Sequence, residues 1–282
     1  MPLNTNIKIM YLNPAGYSSD NQMFADMAKT YKYPGTAVDI VSFNPATVPP
    51  KMTDLEFRSY EALIIADTVK AARQAAKDGY DAMVIGCFYD PALLDAREIS
   101  GDTVIVGPCQ ASISQALTIA NNFSIIIGED KWFDQMRDTV YQYGYRDKLA
   151  SFESVGLRVE DFQTNPERTA SLMKSAGWRA YVERHAESII LGCTMEIGFY
   201  SELQQFLTEE AGGRNVPVID CSIASLKAAE DAALRSQIGW TNSRAWGMEP
   251  PSEEELAKFE IFQDDYQFGN IIHVPADGTD CT

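Results

Sequence analysis

Two histidines, no CxxC pair and no HxxxH pair leave this chain of 282 residues without the ligand spacings of a structural zinc site. Basic residues are also scarce: 23 Lys and Arg stand against 40 Asp and Glu, a formal charge of −17. A balance this acidic excludes nucleic acid and anionic membrane as partners, because both are held by basic surfaces. It leaves a small-molecule substrate open, since that depends on local groups. No apolar run approaches the ~20 residues that a membrane span requires, and no basic-then-apolar segment opens the chain, so the expected compartment is the cytoplasm. Cysteine is sparse and odd in number, at five. Four of the five end runs that read as buried strands, which suits reduced thiols better than a disulfide framework. Hydrophobic residues, at 45%, are ample for one large or two ordinary domains.

The chain does contain an internal duplication. Asp81-Ala-Met-Val-Ile-Gly86-Cys87-Phe88 reappears as Glu187-Ser-Ile-Ile-Leu-Gly192-Cys193-Thr194. Each copy is an acidic residue, a short apolar run, Gly and then Cys. Such a run reads as a strand buried on both faces, the kind found in parallel sheets. A helical pattern precedes each copy, at 66–79 and 172–185, and a second strand ending in Cys follows: Val104 to Cys109, and Val216 to Cys221. Ile7 to Leu12 pairs with Phe123 to Ile127, and Ala37 to Phe43 with Ser151 to Val155. The order is preserved throughout, so the spacing predicts two similar α/β lobes, each a mainly parallel sheet flanked by helices. The expected boundaries are 1–112 for lobe 1, completed by the helix 222–238, 113–221 for lobe 2, and 239–282 for a C-terminal extension. That extension carries Trp240, Trp246 and an acidic stretch, and is expected to pack on the lobes or on a neighbouring subunit.

Chemistry-bearing residues fall at the carboxyl ends of these strands, the edge where open α/β sheets bind ligands. Asn13-Pro14-Ala15-Gly16 follows the first strand and could hold a carboxylate or an imide-like carbonyl on Asn13 and on amides that Gly16 leaves accessible. A plain strand-to-helix turn capped by Ser18, Ser19 or Asp20 reads equally well. Past Cys87, Asp90 and Pro91 form an N-cap followed by Pro at the first helical position, which places helix N–H donors near that thiol. Thr194 to Gly198 is a second candidate nest beside Cys193. Trp132, Phe133, Met136 and Val140 at helical spacing read as core. His185, at a helix end, reads as a favourable charge beside the dipole and not as a catalyst. Cys109 and Cys221 read as packing residues.

These residues resemble the aspartate/glutamate racemase superfamily, most of all its hydantoin and allantoin racemase branch. The match rests on Leu12-Asn13-Pro14, Gly86-Cys87-Phe88-Tyr89-Asp90-Pro91 through Ala96-Arg97-Glu98, Leu191-Gly192-Cys193, and Val216 to Asp220. The resemblance implies two Rossmann-like lobes related by a pseudo-two-fold, an active site in the cleft between them, and no cofactor. It implies Cys87 and Cys193 as acid and base on a carbon next to a carbonyl, with Asn13, Pro14, Gly16, Phe88, Tyr89, Thr194 and Met195 around the substrate. It also implies a homo-oligomer. The chain departs from the branch at Ala15-Gly16, where Asn-Thr is usual, at Ile127-Gly128 in place of a Thr pair, and at Met195, where the amino-acid racemases have His.

The expected substrate is a cyclic ureide, a 5-substituted hydantoin or allantoin, with a small carboxylate as the wider class. Three readings stand beside it: a maleate-type cis–trans isomerase with a nucleophilic cysteine, a decarboxylase of the arylmalonate kind, which needs only one thiol, and a two-lobed binding protein without chemistry. In the plainest reading Cys87 and Cys193 are small buried hydrophobes.

Overall fold

The computed structural model describes residues 3–15 and 20–277. Contact clustering separates two compact units. The first comprises Met1–Gly86, Pro91–Val106 and Leu226–Thr282, and the second Cys87–Asp90 and Gly107–Ser225. In chain order the elements are β1 (Ile7–Asn13), α1 (Asn21–Tyr31), β2 (Thr36–Ser42), α2 (Arg58–Lys77), β3 (Ala82–Ile85), α3 (Leu93–Ile99) and β4 (Val104–Val106). There follow α4 (Pro108–Ile119), β5 (Phe123–Ile127), α5 (Phe133–Gln142), β6 (Leu149–Ser154), α6 (Pro166–Arg184), β7 (Ile189–Leu191), α7 (Tyr200–Glu210), β8 (Val218–Asp220) and α8 (Cys221–Ser236). A C-terminal extension adds α9 (Glu253–Lys258) and β9 (Ile271–Val274).

The duplication read from the sequence is visible in the strand order. The second unit holds the sheet β6-β5-β7-β8, all parallel, and the first holds β2-β1-β3-β4 in the same arrangement, with β9 added antiparallel outside β2. β1, β3, β5 and β7 are buried along almost their whole length, which explains their apolar runs: strands buried on both faces carry no alternating polar positions. No helix among the described residues is long and apolar enough to cross a membrane.

Helix boundaries follow capping chemistry that hydrophobic periodicity overlooks. The second-lobe helix expected from 172 begins at Pro166, because Asn165 accepts the Arg168 N–H and Pro occupies the first helical position, where no N–H is needed. Phe133, expected in the core, is 40% exposed on α5 and stands edge-on to Phe152, while Trp132, Met136 and Val140 are buried. His185 closes α6 in the left-handed conformation on the surface.

The glycine before each strand-end cysteine has a physical cause shared by both sheets. The Gly86 N–H donates to Leu12 O at 2.7 Å, and the Gly192 N–H to Ile126 O at 2.9 Å. A Cβ at either position would lie 2.6 Å from that same carbonyl oxygen. The third strand can therefore continue against the first only without a side chain there. Gly192→Ala or Gly86→Ala is expected to destabilise its unit by about 3 kcal/mol through this overlap. Gly247→Ala, with open space around its Cβ position, should change stability by less than about 0.5 kcal/mol. Urea unfolding of the three variants checks this, and equal midpoints would refute it.

Candidate active site

In each sheet the first strand lies beside the third and its connection departs towards the second, so the chain reverses its winding at the β1/β3 and β5/β7 pairs. Ligands in open α/β sheets bind beyond the carboxyl ends at such switch points. Cys87 stands one glycine past β3 and Cys193 one glycine past β7, and both are half-buried. By contacts both thiols belong to the second unit, where they pack against one hydrophobic core.

Asn13, the last residue of β1, belongs to the first unit. It is buried, its Nδ2 donates to Asn21 Oδ1 at 2.9 Å, and its carbonyl accepts the Ala15 N–H at 2.8 Å. The Ala15 carbonyl in turn accepts the Phe43 N–H, so the start of this loop is tied to the end of β2. Pro14 is buried, and Gly16 lies outside the described residues. Of the residues expected beside Cys87, Phe88 and Tyr89 are members of the second unit's core. Of those beside Cys193, Thr194 is buried and Met195 half-buried. Gln163 holds this loop by donating to the carbonyls of Met195 and Ile197.

Backbone donors around the Thr194–Glu196 turn meet carboxylates, and the helix start expected beside Cys87 is left without a side-chain cap. Asp90 does not cap the helix that follows it. It adopts a left-handed conformation (φ 51°), as does Ala92 (φ 56°), and α3 starts only at Leu93. The Asp90 carboxylate turns to α4 and accepts the N–H groups of Cys109 (2.9 Å) and Gln110 (3.0 Å) and the Tyr143 hydroxyl (2.8 Å). A carboxylate at a helix N-terminus outcompetes proximity in sequence, because two orphan amides and the dipole favour it there. Asp220 does the same for α8, accepting the amides of Ser222 and Ile223 on one oxygen and that of Gly198 on the other. Burial raises its pKa from 3.8 to about 6 against those three donors.

Beside Cys193 the carboxyl is Glu196, within the turn Thr194–Glu196. It is fully buried and accepts the Cys193 N–H on Oε2 at 3.3 Å, while its Oε1 has no partner among the described residues. Desolvation pushes its pKa well above the usual carboxylate range, with nearby Asp220 adding to the shift, against backbone donors that lower it. Burial thus favours the protonated form of Glu196, the form that places no negative charge beside Cys193. Sequence reading passed over it, although an acidic residue in an otherwise apolar turn after a buried strand was the available signal.

Behind each half-buried thiol lies a fully buried one. Cys109 and Cys221 stand in the first turns of α4 and α8, not on the strands before them. Burial holds both well above the ordinary thiol range, Asp90 and Cys87 adding to the first and Asp220, Cys193, Glu196 and Cys109 to the second. Both stay neutral, and the pair most open to thiolate chemistry is Cys87 and Cys193. Among the described residues no three His, Cys, Asp or Glu converge as a metal-ligand set.

The model of the Asp/Glu/hydantoin racemase family matches residues 9–229. A hydantoin racemase of Pseudomonas sp. (strain NS671) is 30% identical over 226 residues, 79% of this chain and 85% of its own length. A hydantoin racemase of Paenarthrobacter aurescens is 30% identical over 250 residues, 88% of this chain and 99% of its own. The solved allantoin racemase of Klebsiella pneumoniae superposes with a TM-score of 0.74 at 26% identity, covering 88% of this chain and 94% of the other.

The raised pKa of Glu196 has a measurable sign. A carboxyl whose folded pKa is raised contributes stability that is full below its unfolded value near 4.5 and is lost as pH rises through the higher folded value. Glu196→Gln, which keeps a carbonyl for the Cys193 N–H and cannot ionise, should match wild type within about 1 kcal/mol near pH 5 and gain on it towards pH 9. Glu196→Ala should lose about 2–4 kcal/mol through the unpaired amide and the cavity. Calorimetric Tm values across this range decide it, and a Gln variant that falls behind wild type as pH rises would show an ionised Glu196.

Proposed function

The chain belongs to the Asp/Glu/hydantoin racemase family and is an isomerase of the racemase class, and from that premise we propose that it racemises a five-membered cyclic ureide, a 5-substituted hydantoin or allantoin, by a two-base mechanism without a cofactor. The observation that carries the reading is the equivalent placement of Cys87 and Cys193. Each follows a strand-end glycine that a neighbouring carbonyl forbids from bearing a side chain, each is half-buried, and both belong to one unit. The named relatives, two hydantoin racemases and an allantoin racemase, support the substrate class.

In the proposed step one cysteine, as thiolate, takes the proton from the ring carbon next to the carbonyl, and the electron pair delocalises onto that carbonyl oxygen. The other cysteine, as thiol, returns a proton to the opposite face. The carbon is inverted and the two sulfurs have exchanged protonation states, which readies the site for the other enantiomer. The raised pKa of Glu196 favours its neutral form, which does not oppose a thiolate at Cys193. Cys109 and Cys221, held neutral by burial, take no part. Asn13 is the side chain we assign to the ring's polar edge, with Thr194 and Met195 beside Cys193.

The test is racemisation in deuterated water, followed by NMR and optical rotation on a panel of 5-substituted hydantoins and allantoin. Wild type should incorporate deuterium at the inverted carbon, and Cys87→Ser and Cys193→Ser should each lose about a hundredfold or more in rate. Racemisation that survives either substitution ends the two-base reading. A covalent adduct seen by mass spectrometry, with turnover of maleate and no exchange, would replace it with nucleophilic isomerisation.

A further inference from the structure

Cys87 lies past the end of β3, in a turn that is carried by neither a strand nor a helix. By contacts Cys87–Asp90 belong to the second unit, although Gly86 before them and Pro91 after them belong to the first. The turn is closed by the Asp90 N–H, which donates to Cys87 O at 3.0 Å. Its two middle side chains, Phe88 and Tyr89, are buried in the second unit's core. Its last residue, Asp90, is in the left-handed region at φ 51°, which Asp tolerates better than most residues do. Backbone held there persists only where its surroundings over-determine it.

The Asp90 carboxylate supplies those surroundings. It collects three donors from the second unit: the Cys109 N–H on Oδ1, and the Gln110 N–H and the Tyr143 hydroxyl on Oδ2. Gly107, just before α4, makes room for it. A Cβ at that position would lie 2.5 and 2.6 Å from the two Asp90 oxygens. Gly107 itself has φ −106° and ψ 136°, an extended backbone open to any residue, so the space that the carboxylate fills is what excludes a side chain there. A continuous path results, from the Cys87 carbonyl through the Asp90 amide and carboxylate to the first turn of α4. That helix packs on β7, the strand that delivers Cys193.

We propose that Asp90, Tyr143 and Gly107 are positioning residues that clamp the Cys87 turn to α4 and so hold Cys87 in the same frame as Cys193. The inference rests on the proposed function in taking the two cysteines as acid and base. It adds what fixes the first of them, which no strand or helix holds, at a set place relative to the second. Proton transfer tolerates little displacement, since a misplacement of about 1 Å can cost a hundredfold in rate.

The test uses single enantiomers of a 5-substituted hydantoin in deuterated water, with wild type, Asp90→Ala, Gly107→Ala, their double variant and Tyr143→Phe. Asp90→Ala and Gly107→Ala should each slow racemisation by about a hundredfold. One enantiomer, the one whose proton Cys193 takes, should still exchange: the Cys193 thiol trades that proton for a deuteron from solvent and returns it to the same face, without inversion. The other enantiomer should keep its hydrogen. The loss caused by Gly107→Ala should vanish in the Asp90→Ala background, because the carboxylate that it meets is gone. Tyr143→Phe, which leaves the carboxylate on its two amides, should slow racemisation by about three- to tenfold, and it carries the comparison with Gly107→Ala should Asp90→Ala not fold. A merely structural role would lower Tm and slow exchange of both enantiomers alike, with additive effects, and that result overturns the proposal. Alkylation by iodoacetamide, read at Cys87 and Cys193 by peptide mass spectrometry, is independent of turnover. The ratio of the two labelling rates should shift by about tenfold in Asp90→Ala and in Gly107→Ala as the Cys87 turn is released. An unchanged ratio would overturn the clamp even if racemisation were confirmed. A wild type inactive on every hydantoin would overturn the proposed function, while a shifted ratio would still uphold the clamp.

Discussion

Everything at the candidate site depends on how closely the third strand of each sheet is pressed against the first. The amides of Gly86 and Gly192 reach the carbonyls of Leu12 and Ile126 where a side chain would overlap those same atoms. Because a parallel strand pair sets its spacing by backbone hydrogen bonds, the residue at that rung is constrained twice, and the next residue is delivered to the strand's end in a fixed direction. In both sheets that next residue is cysteine. The duplication therefore preserves a backbone contact first and a chemistry second, and the two thiols inherit equivalent settings from it.

The carboxyls around those thiols show how burial distributes charge. Asp90 and Asp220 are each held by backbone amides at the start of a helix, where partial positive charge accumulates. Glu196 accepts the Cys193 amide at 3.3 Å on one oxygen and has no partner among the described residues on the other, and desolvation outweighs its backbone donors and raises its pKa. Burial raises the pKa of both Asp220 and Glu196, and the backbone N–H groups that each carboxyl collects oppose it. The same reasoning removes Cys109 and Cys221 from the chemistry. Their sulfurs lie in helix first turns, yet full burial and adjacent carboxylates outweigh the dipole.

The extension resolves a separate problem of the first sheet. Without β9, the β2 strand would present an unpaired edge, and a run as apolar as Thr36–Ser42 is a template for pairing with other chains. β9 covers it antiparallel, with His273 Nδ1 2.6 Å from Asp39 and the buried ammonium of Lys32 meeting Asp277. Exposed pairs such as Lys77 with Asp265 contribute little by comparison, because solvent screens them. Covering the edge also carries Asn270 to the rung occupied by Ser42 and Asn13, so a solution to an edge problem also ties the end of β2 to Asn21.

The sequence by itself determined the repeated α/β order, the parallel character of both sheets and the two Gly-Cys positions, because those follow from local periodicity and from a motif written twice. Asn13 at a strand's end was legible for the same reason. Only the tertiary structure decided that Asp90 caps α4 and not the helix beside it, and that Phe133 faces solvent while Phe88 joins the core. It alone decided that Glu196 is fully buried with a raised pKa, and that Asn270 meets Asn21. Each of these depends on which distant backbone amides and carbonyls come within about 3 Å of a side chain. Spacing along the chain carries no record of such contacts. A carboxylate or an amide takes its role from the donors and acceptors that packing brings to it, and those are chosen by the fold as a whole.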